Sequence, residues 1–395
     1  MMDKTYKILM VHNYYQIPGG EDTVVAGEKK LLEENGHKVI LYTRHNSELK
    51  TMPLWRKLLL PVTMIYNPGT ARAVRRIIRD EEIDIVHVHN TLSLVSPSVY
   101  YAARACGVPV VQTVHNYRLL CPGATFYRDV HICEDCLHHG LGCALKHKCY
   151  RNSRLQTLAC VLSSCVHRLA GIYRDIHYIC LTDFNRNKLL EANKAGKKPL
   201  FDPEKVYVKP NFVAGGGAFI PEAQRKNQFL FAGRLDRLKG IDLLLEAWRR
   251  LGPEAPKLIV CGSGPMEDWC RAFLKANPVN VELRGQTPNG EVRALMGESR
   301  ALILPTRCYE GFPMSMVEAF SVGTPVICPD LGNSGSLVRE GVSGCKFRSD
   351  CLESLLDAVG RCRGMCASTL EYCRENYTES MNYQRLMEIY SNLLN

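Results

Sequence analysis

Along this chain, short apolar runs rich in valine and isoleucine alternate with stretches whose apolar residues recur at helical spacing, which predicts parallel α/β architecture. In the first half, strands are predicted over residues 6–12, 38–42, 83–89, 109–115 and 177–182, with helices over 21–35, 70–81 and 97–106. Gly36 after LLEEN reads as a helix C-cap, and Gly107-Val-Pro109 stops the third helix ahead of a strand. The second half repeats the theme, with strands over 228–232, 257–261, 279–284, 301–305 and 325–328. Helices are predicted between them over 241–251, 265–277, 289–298 and 313–322, and a last one over 381–394. Residues 205–221, with VKPNFVAGGGAFIP, lack periodicity and read as a linker.

The pattern implies two domains, as does a length of 395 residues at roughly 100–200 per domain. Residues 1–208 form the first domain, 209–380 the second, and the helix over 381–395 is expected to pack back on the first. Two tandem Rossmann-like sheets would hold ligand in a cleft at the carboxyl ends of their strands. With 46% apolar and 23% charged residues the chain is too apolar to be disordered. No run approaches the length of a membrane-spanning helix, and MMDKTYKILMVHN lacks the layout of a secretory signal. The expected location is therefore cytoplasmic.

Charge adds an asymmetry. The formal net charge is +10, and all of the excess lies between Met1 and Pro210, where 29 basic side chains face 19 acidic ones. Such a half attracts polyanions: an anionic membrane face, nucleic acid or a phosphorylated substrate. Trp55-Arg-Lys-Leu-Leu-Leu-Pro is a candidate membrane contact, or else an ordinary loop and short helix packed on the domain.

Glycine-bearing turns at predicted strand ends carry the candidate chemistry. Gly19-Gly20-Glu21-Asp22 opens the first helix, where free backbone N–H groups suit a phosphate. In Gly233-Arg234-Leu-Asp-Arg-Leu-Lys239-Gly240, two cations flank a loop and could grip a diphosphate. Gly262-Ser263-Gly264-Pro265 and Arg284-Gly285-Gln286 are further turns of this kind. The strongest signal is Glu310-Gly311-Phe312-Pro313 followed by Glu318, two glutamates eight residues apart at the start of a helix. His87 and His89 alternate on one strand; His89 could line the cleft, whereas His87 reads as a packed histidine.

Taken in order, the GG-E/D turn, H-x-H-N, T-V-H-N, G-R-L-x-x-x-K-G, G-x-G-P and E-G-F-P-x-x-x-x-E-A span nearly the whole chain. Together they resemble the E-x7-E retaining glycosyltransferases of family 4, of the bacterial surface-polysaccharide type. The resemblance implies the GT-B fold, with two facing Rossmann-like domains and a nucleotide-sugar donor on the second. It implies that Arg234 and Lys239 hold the diphosphate and that Glu318 meets the ribose hydroxyls. Glu310, with the Gly311 and Phe312 amides, would orient the donor sugar. Gly264 and Gln286 would contact the nucleotide, Gly19 and Gly20 would close on the phosphates, and His115 would sit beside the sugar. No nucleophile is required, because fixed cations lower the barrier to departure of the diphosphate. The chain contains no D-x-D, so no catalytic metal is expected.

Cysteine is abundant, with 18 residues, eight of them between Cys121 and Cys180. Cys133-Glu-Asp-Cys136 is a C-x2-C knuckle inside a polar insert over 121–149, and tetrahedral zinc fits that inventory. An iron–sulfur cluster uses the same ligands. By the resemblance, Cys121, Cys133, Cys136 and Cys149 would be the ligands, with Cys143 spare.

The expected function is transfer of a sugar from a nucleotide-sugar donor to a lipid-linked or polysaccharide acceptor, with an anionic membrane surface as partner and no nucleic acid. The alternatives are a sugar-nucleotide epimerase or a phosphorylase on the same fold, or a zinc-containing nucleic-acid-binding protein. The last leaves the Glu310/Glu318 pair unexplained.

Overall fold

The computed structural model describes residues 5–16, 19–195 and 198–394; Asn395, the end of the last predicted helix, lies outside them. The chain divides into two units, residues 1–126, 133–210 and 382–395 in the first and residues 127–132 and 211–381 in the second.

In chain order the strands are β1 (Lys7–Tyr14), β2 (Lys38–His45), β3 (Ile85–Val88) and β4 (Val110–Val114), then the short hairpin of β5 (Tyr127–Arg128) and β6 (His131–Ile132). They continue with β7 (His177–Cys180), β8 (Val206–Val208), β9 (Gln228–Ala232), β10 (Lys257–Cys261), β11 (Val281–Gly285), β12 (Ala301–Ile303), β13 (Val326–Pro329) and β14 (Gly344–Phe347). The first unit holds a parallel sheet ordered β2-β1-β3-β4-β7-β8, and the second a parallel sheet ordered β11-β10-β9-β12-β13-β14. Both are Rossmann-like, with a reversal of strand order between β1 and β3 and again between β9 and β12. Such a reversal opens a crevice at the strands' carboxyl ends, so the fold itself marks where each unit offers a site.

Burial on both faces explains the strand sequences, as expected when helices cover a parallel sheet on each side. Along β9, Phe229 and Phe231 pack with Trp248 on one side while Leu230 packs with Ile259 and Phe320 on the other. In the first unit, Ile8, Met10, Ile85, Val111 and Ile179 form a core that the terminal helix Glu379–Leu394 completes with Leu386, Ile389 and Tyr390.

Several elements depart from the sequence expectation. Strand β8 lies inside the stretch read as linker, and β14 was not anticipated; each is an edge strand paired on one side only, so neither needs a long apolar run. The helix Arg154–Leu169 was also not anticipated, because its apolar residues are not confined to a buried face. The stretch beginning at Trp55 is part of a full helix, Leu54–Ile65, with Pro61 inside it.

Candidate active site

In the second unit, the loops leaving β9 and β12 meet where the strand order reverses. Asp236 caps the 3-10 turn Arg237–Lys239, its Oδ1 accepting from the Lys239 N–H at 2.9 Å. The Lys239 ammonium then reaches Glu310, donating to Oε1 at 2.7 Å and Oε2 at 2.8 Å. Thr306 Oγ1 donates to the same Glu310 Oε1 at 2.8 Å, and the Asn333 amide donates to the carbonyls of Glu310 and Gly311 at 2.5 and 2.6 Å. Burial acts to lower the Lys239 pKa, but the charge and hydrogen bond of Glu310 outweigh it and the net shift is upward. Lys239 is thus held as a cation in a partly desolvated place, where charge acts at greater strength than in water.

The close approach of these loops depends on glycine. At Gly240, φ is +71° and a Cβ would lie 2.0 Å from the Pro305 carbonyl oxygen; at Gly262, φ is +136° and a Cβ would lie 1.9 Å from that of Gly233. Arg307 fastens the same corner, donating to Asp242 at 2.6 Å and Asp350 at 2.7 Å.

The structure brings Lys239, Glu310 and Gly311 together. Arg234 is exposed on the β9 loop and paired with Asp236. Glu318 lies half-buried in the helix Met314–Ser321, where burial raises its pKa against the opposing charge of Arg293. Phe312 packs beside Tyr377. Gln286, after β11, accepts from the Ser263 hydroxyl at 2.9 Å, which joins it to the turn that holds Gly264. Cys308, between Thr306 and Glu310, is a buried thiol pushed up to about 12 by burial and by Glu310.

The first unit has its own cluster at the β1/β3 reversal. Gly19 and Gly20 begin the helix Gly20–Glu34, where Asp22 accepts from the Gly19 N–H at 2.9 Å and lies 2.8 Å from His12 Nε2. Glu21 accepts from Asn90 at 3.1 Å, and burial, then the charge of Asp22, raises its pKa to about 8. His115 lies 3.0 Å from His89, and His87, His89 and His115 stack in a row. Burial lowers His115 to about 3 and His87 to about 4, so both are neutral at physiological pH. His87 is fully enclosed, bonded to Tyr390 and Thr113 at 2.8 Å each, as a packed histidine would be. His89 and His115 line a pocket with Asn90, Gln112, Asn116 and Arg118.

Beneath the histidines lies a pair that sequence reasoning missed. Glu28 and Lys209 are both buried and 2.9 Å apart, and Lys209 also donates to Asn382 at 3.2 Å. Burial would raise the Glu28 carboxyl, but Lys209 and His87 outweigh it and its pKa is lowered. Glu28 had one available signal: it shares a helix face with Val24, Val25, Leu31 and Leu32. Lys209 had none, being part of the supposed linker.

In the cysteine insert, the thiol of Cys136 is pushed up to about 12 by burial and by Cys121, Cys149 and Cys143 in turn. A Cβ at Gly123 would lie 3.6 Å from both Cys121 Sγ and Cys149 Cβ, so these two are neighbours. Cys133 directly follows the hairpin, its N–H donating to the Phe126 carbonyl at 2.8 Å.

Comparison with known proteins places this geometry. A family model described as Glycosyl transferases group 1 matches residues 226–363, and one described as Glycosyltransferase Family 4 matches residues 18–131. The chain is 25% identical over 359 residues to a subunit of the human phosphatidylinositol N-acetylglucosaminyltransferase, a match spanning 86% of this chain but 65% of that protein. It is 27% identical over 332 residues to an uncharacterized 42.6 kDa protein of the Klebsiella pneumoniae cps region, covering 81% of this chain and 79% of that one. Among solved structures, Anabaena HepE in complex with UDP-glucose superposes with a TM-score of 0.62 at 16% identity, over 98% of this chain and 100% of that one. With two parallel α/β sheets and the E-x7-E loop in place, the chain belongs to the group 1, family 4 glycosyltransferases, retaining enzymes of the GT-B fold.

Proposed function

We propose that the chain transfers a sugar from a uridine-diphosphate donor to a lipid-linked or glycan acceptor at the cytoplasmic face of a membrane. One observation carries the donor half: a lysine held charged by Glu310 at the strand-order reversal of the second unit. The UDP-glucose in the Anabaena neighbour supports the choice of base, and the phosphatidylinositol in the human relative's name supports a lipid acceptor.

Cleavage of the bond between sugar and phosphate leaves negative charge on the departing diphosphate. Lys239 and Arg234 neutralise that charge, and Lys239, already fixed by Glu310, needs little reorganisation to do so. Glu318 accepts from the ribose hydroxyls; Glu310 and the Gly311 and Phe312 amides orient the sugar, with Gly264 and Gln286 beside the nucleotide. In the first unit, His115 is a neutral hydrogen-bonding group suited to a sugar hydroxyl. Catalysis is by positioning and charge stabilisation, without a covalent intermediate.

We further propose a structural zinc ion for the insert, held by Cys121, Cys136 and Cys149 with Cys133 or Cys143 as fourth ligand; binding would have to draw these thiols together, since no three of them lie within 4.8 Å of one another. It would tie down a segment whose non-glycine residues Ala124, Phe126, Asp129, Val130 and Lys148 all hold positive φ. Elemental analysis of Cys133→Ser and Cys143→Ser decides the fourth ligand, and protein free of zinc and iron disposes of the site.

Incubation with a panel of nucleotide sugars, with and without acceptor lipid, tests the function. Acceptor-dependent release of UDP is the expected result. Epimerised donor or a requirement for orthophosphate would replace it with one of the other reactions of this fold.

A further inference from the structure

Two helices of the first unit present apolar side chains to water. Leu54–Ile65 and Arg154–Leu169 pack against each other through Met64, Ala159 and Cys160, with Ser163 Oγ donating to the Met64 carbonyl at 3.4 Å and His167 bonded to the Ile65 carbonyl at 3.0 Å. Away from that seam, Leu54 is 74% exposed and Leu58 73%, and Trp55 and Val62 continue the stripe at helical spacing. On the second helix Leu155, Leu162 and Val166 are exposed and Leu169 is 88% exposed. Single exposed leucines are ordinary, but two adjoining helices that both turn a leucine-rich stripe outward mark a surface that something covers.

The charge around this face selects the occupant. From Leu49 to Arg79 the sequence carries seven lysines and arginines and no acidic residue, and from Cys136 to Arg174 six and none. These two segments hold 13 of the 29 basic side chains between Met1 and Pro210, more than its whole excess. Arg56, Lys57 and Arg154 sit on the two helices themselves, and Arg72, Arg75, Arg76 and Arg79 on the next helix, Pro68–Glu81. An apolar ridge that carries a tryptophan and lies on chain segments rich in cations and without carboxylates matches a layer of acyl chains beneath anionic headgroups.

We propose that the first unit docks on an anionic lipid bilayer through these paired helices, inserting the leucine ridge while the flanking arginines and lysines meet the headgroups. The inference deepens the lipid-acceptor half of the proposed function, since a surface-bound enzyme meets a lipid-borne substrate in two dimensions. It stands apart from the donor reading.

The test is sedimentation of the full chain with vesicles of phosphatidylcholine, with and without phosphatidylglycerol. Binding is expected to require the anionic lipid, to weaken with salt, and to shift Trp55 emission to the blue, with Trp55→Phe as the fluorescence control. Leu58→Asp with Leu162→Asp should cut partitioning by at least about tenfold. Both side chains already face water, so the melting temperature and UDP binding of the variant should be those of the parent. Absence of binding to either vesicle would overturn the proposal, as would binding that the double variant leaves unchanged. A concentration-dependent dimer abolished by the same variant would assign the ridge to a second copy of the chain instead. UDP binding measured without vesicles reports on the donor reading separately.

Discussion

Lys239 and Glu310 are legible in the sequence as motif residues, but their direct pairing is not, because 71 residues separate them. Only the fold shows that Glu310 fixes the Lys239 cation, the one proposed to meet the diphosphate. Lys239→Ala is expected to lower kcat on the order of 10²–10³-fold, the range for losing one preorganised charge partner, with unchanged circular dichroism. Glu310→Gln should also reduce kcat, and the double variant should lose less than the sum of the two, since each residue acts partly through the other. Steady-state kinetics on the three proteins checks both points; strict additivity would show that the pair does not work as a unit. Glu21 gives a second prediction at this scale. Its folded pKa, about 8, lies above the ordinary value, so the folded state keeps a proton that the unfolded chain releases. The stability this provides is full below the unfolded value and is lost as pH rises through about 8. Melting temperatures measured from pH 5 to pH 9 should therefore fall less steeply for Glu21→Gln than for the parent; parallel curves would contradict the assignment.

Among the elements, periodicity revealed the central strands and most flanking helices because these bury a repeating face. It did not reveal β8 or β14, whose sequences VYV and GCKF are too short to carry a period. The same gap hid Lys209, which directly follows β8 and neutralises Glu28 from the helix Gly20–Glu34. Breaking a buried pair from one side leaves an uncompensated charge, so Glu28→Ala or Lys209→Ala should each cost about 3–5 kcal/mol. Glu28→Gln with Lys209→Met should cost less than either, as read by denaturant unfolding. The β9 loop makes its own demand at Gly240: alanine there meets the Pro305 carbonyl in a backbone conformation that disfavours it. Gly240→Ala is therefore expected to weaken UDP binding by displacing Lys239, and titration calorimetry checks it.

For the molecule as a whole, composition and pattern predicted two α/β units, and the ordered motifs the family. What they left open was the meaning of the +10 charge, because a linear count does not say which charges share a surface. Two segments without carboxylates, residues 49–79 and 136–174, carry 13 of the 29 basic side chains of the first 210 residues and include both helices of the apolar ridge, whereas the candidate site of the second unit is built on a few placed residues around Lys239. The role proposed for those residues is to hold the diphosphate of a nucleotide sugar. Titration calorimetry of UDP into the parent, Lys239→Ala and Glu318→Gln tests it most directly. One UDP is expected per parent chain, with affinity weakened at least about tenfold in each variant, a loss of roughly 1.4 kcal/mol. Parent-like affinity in both variants, or a parent that binds no nucleoside diphosphate, would contradict it.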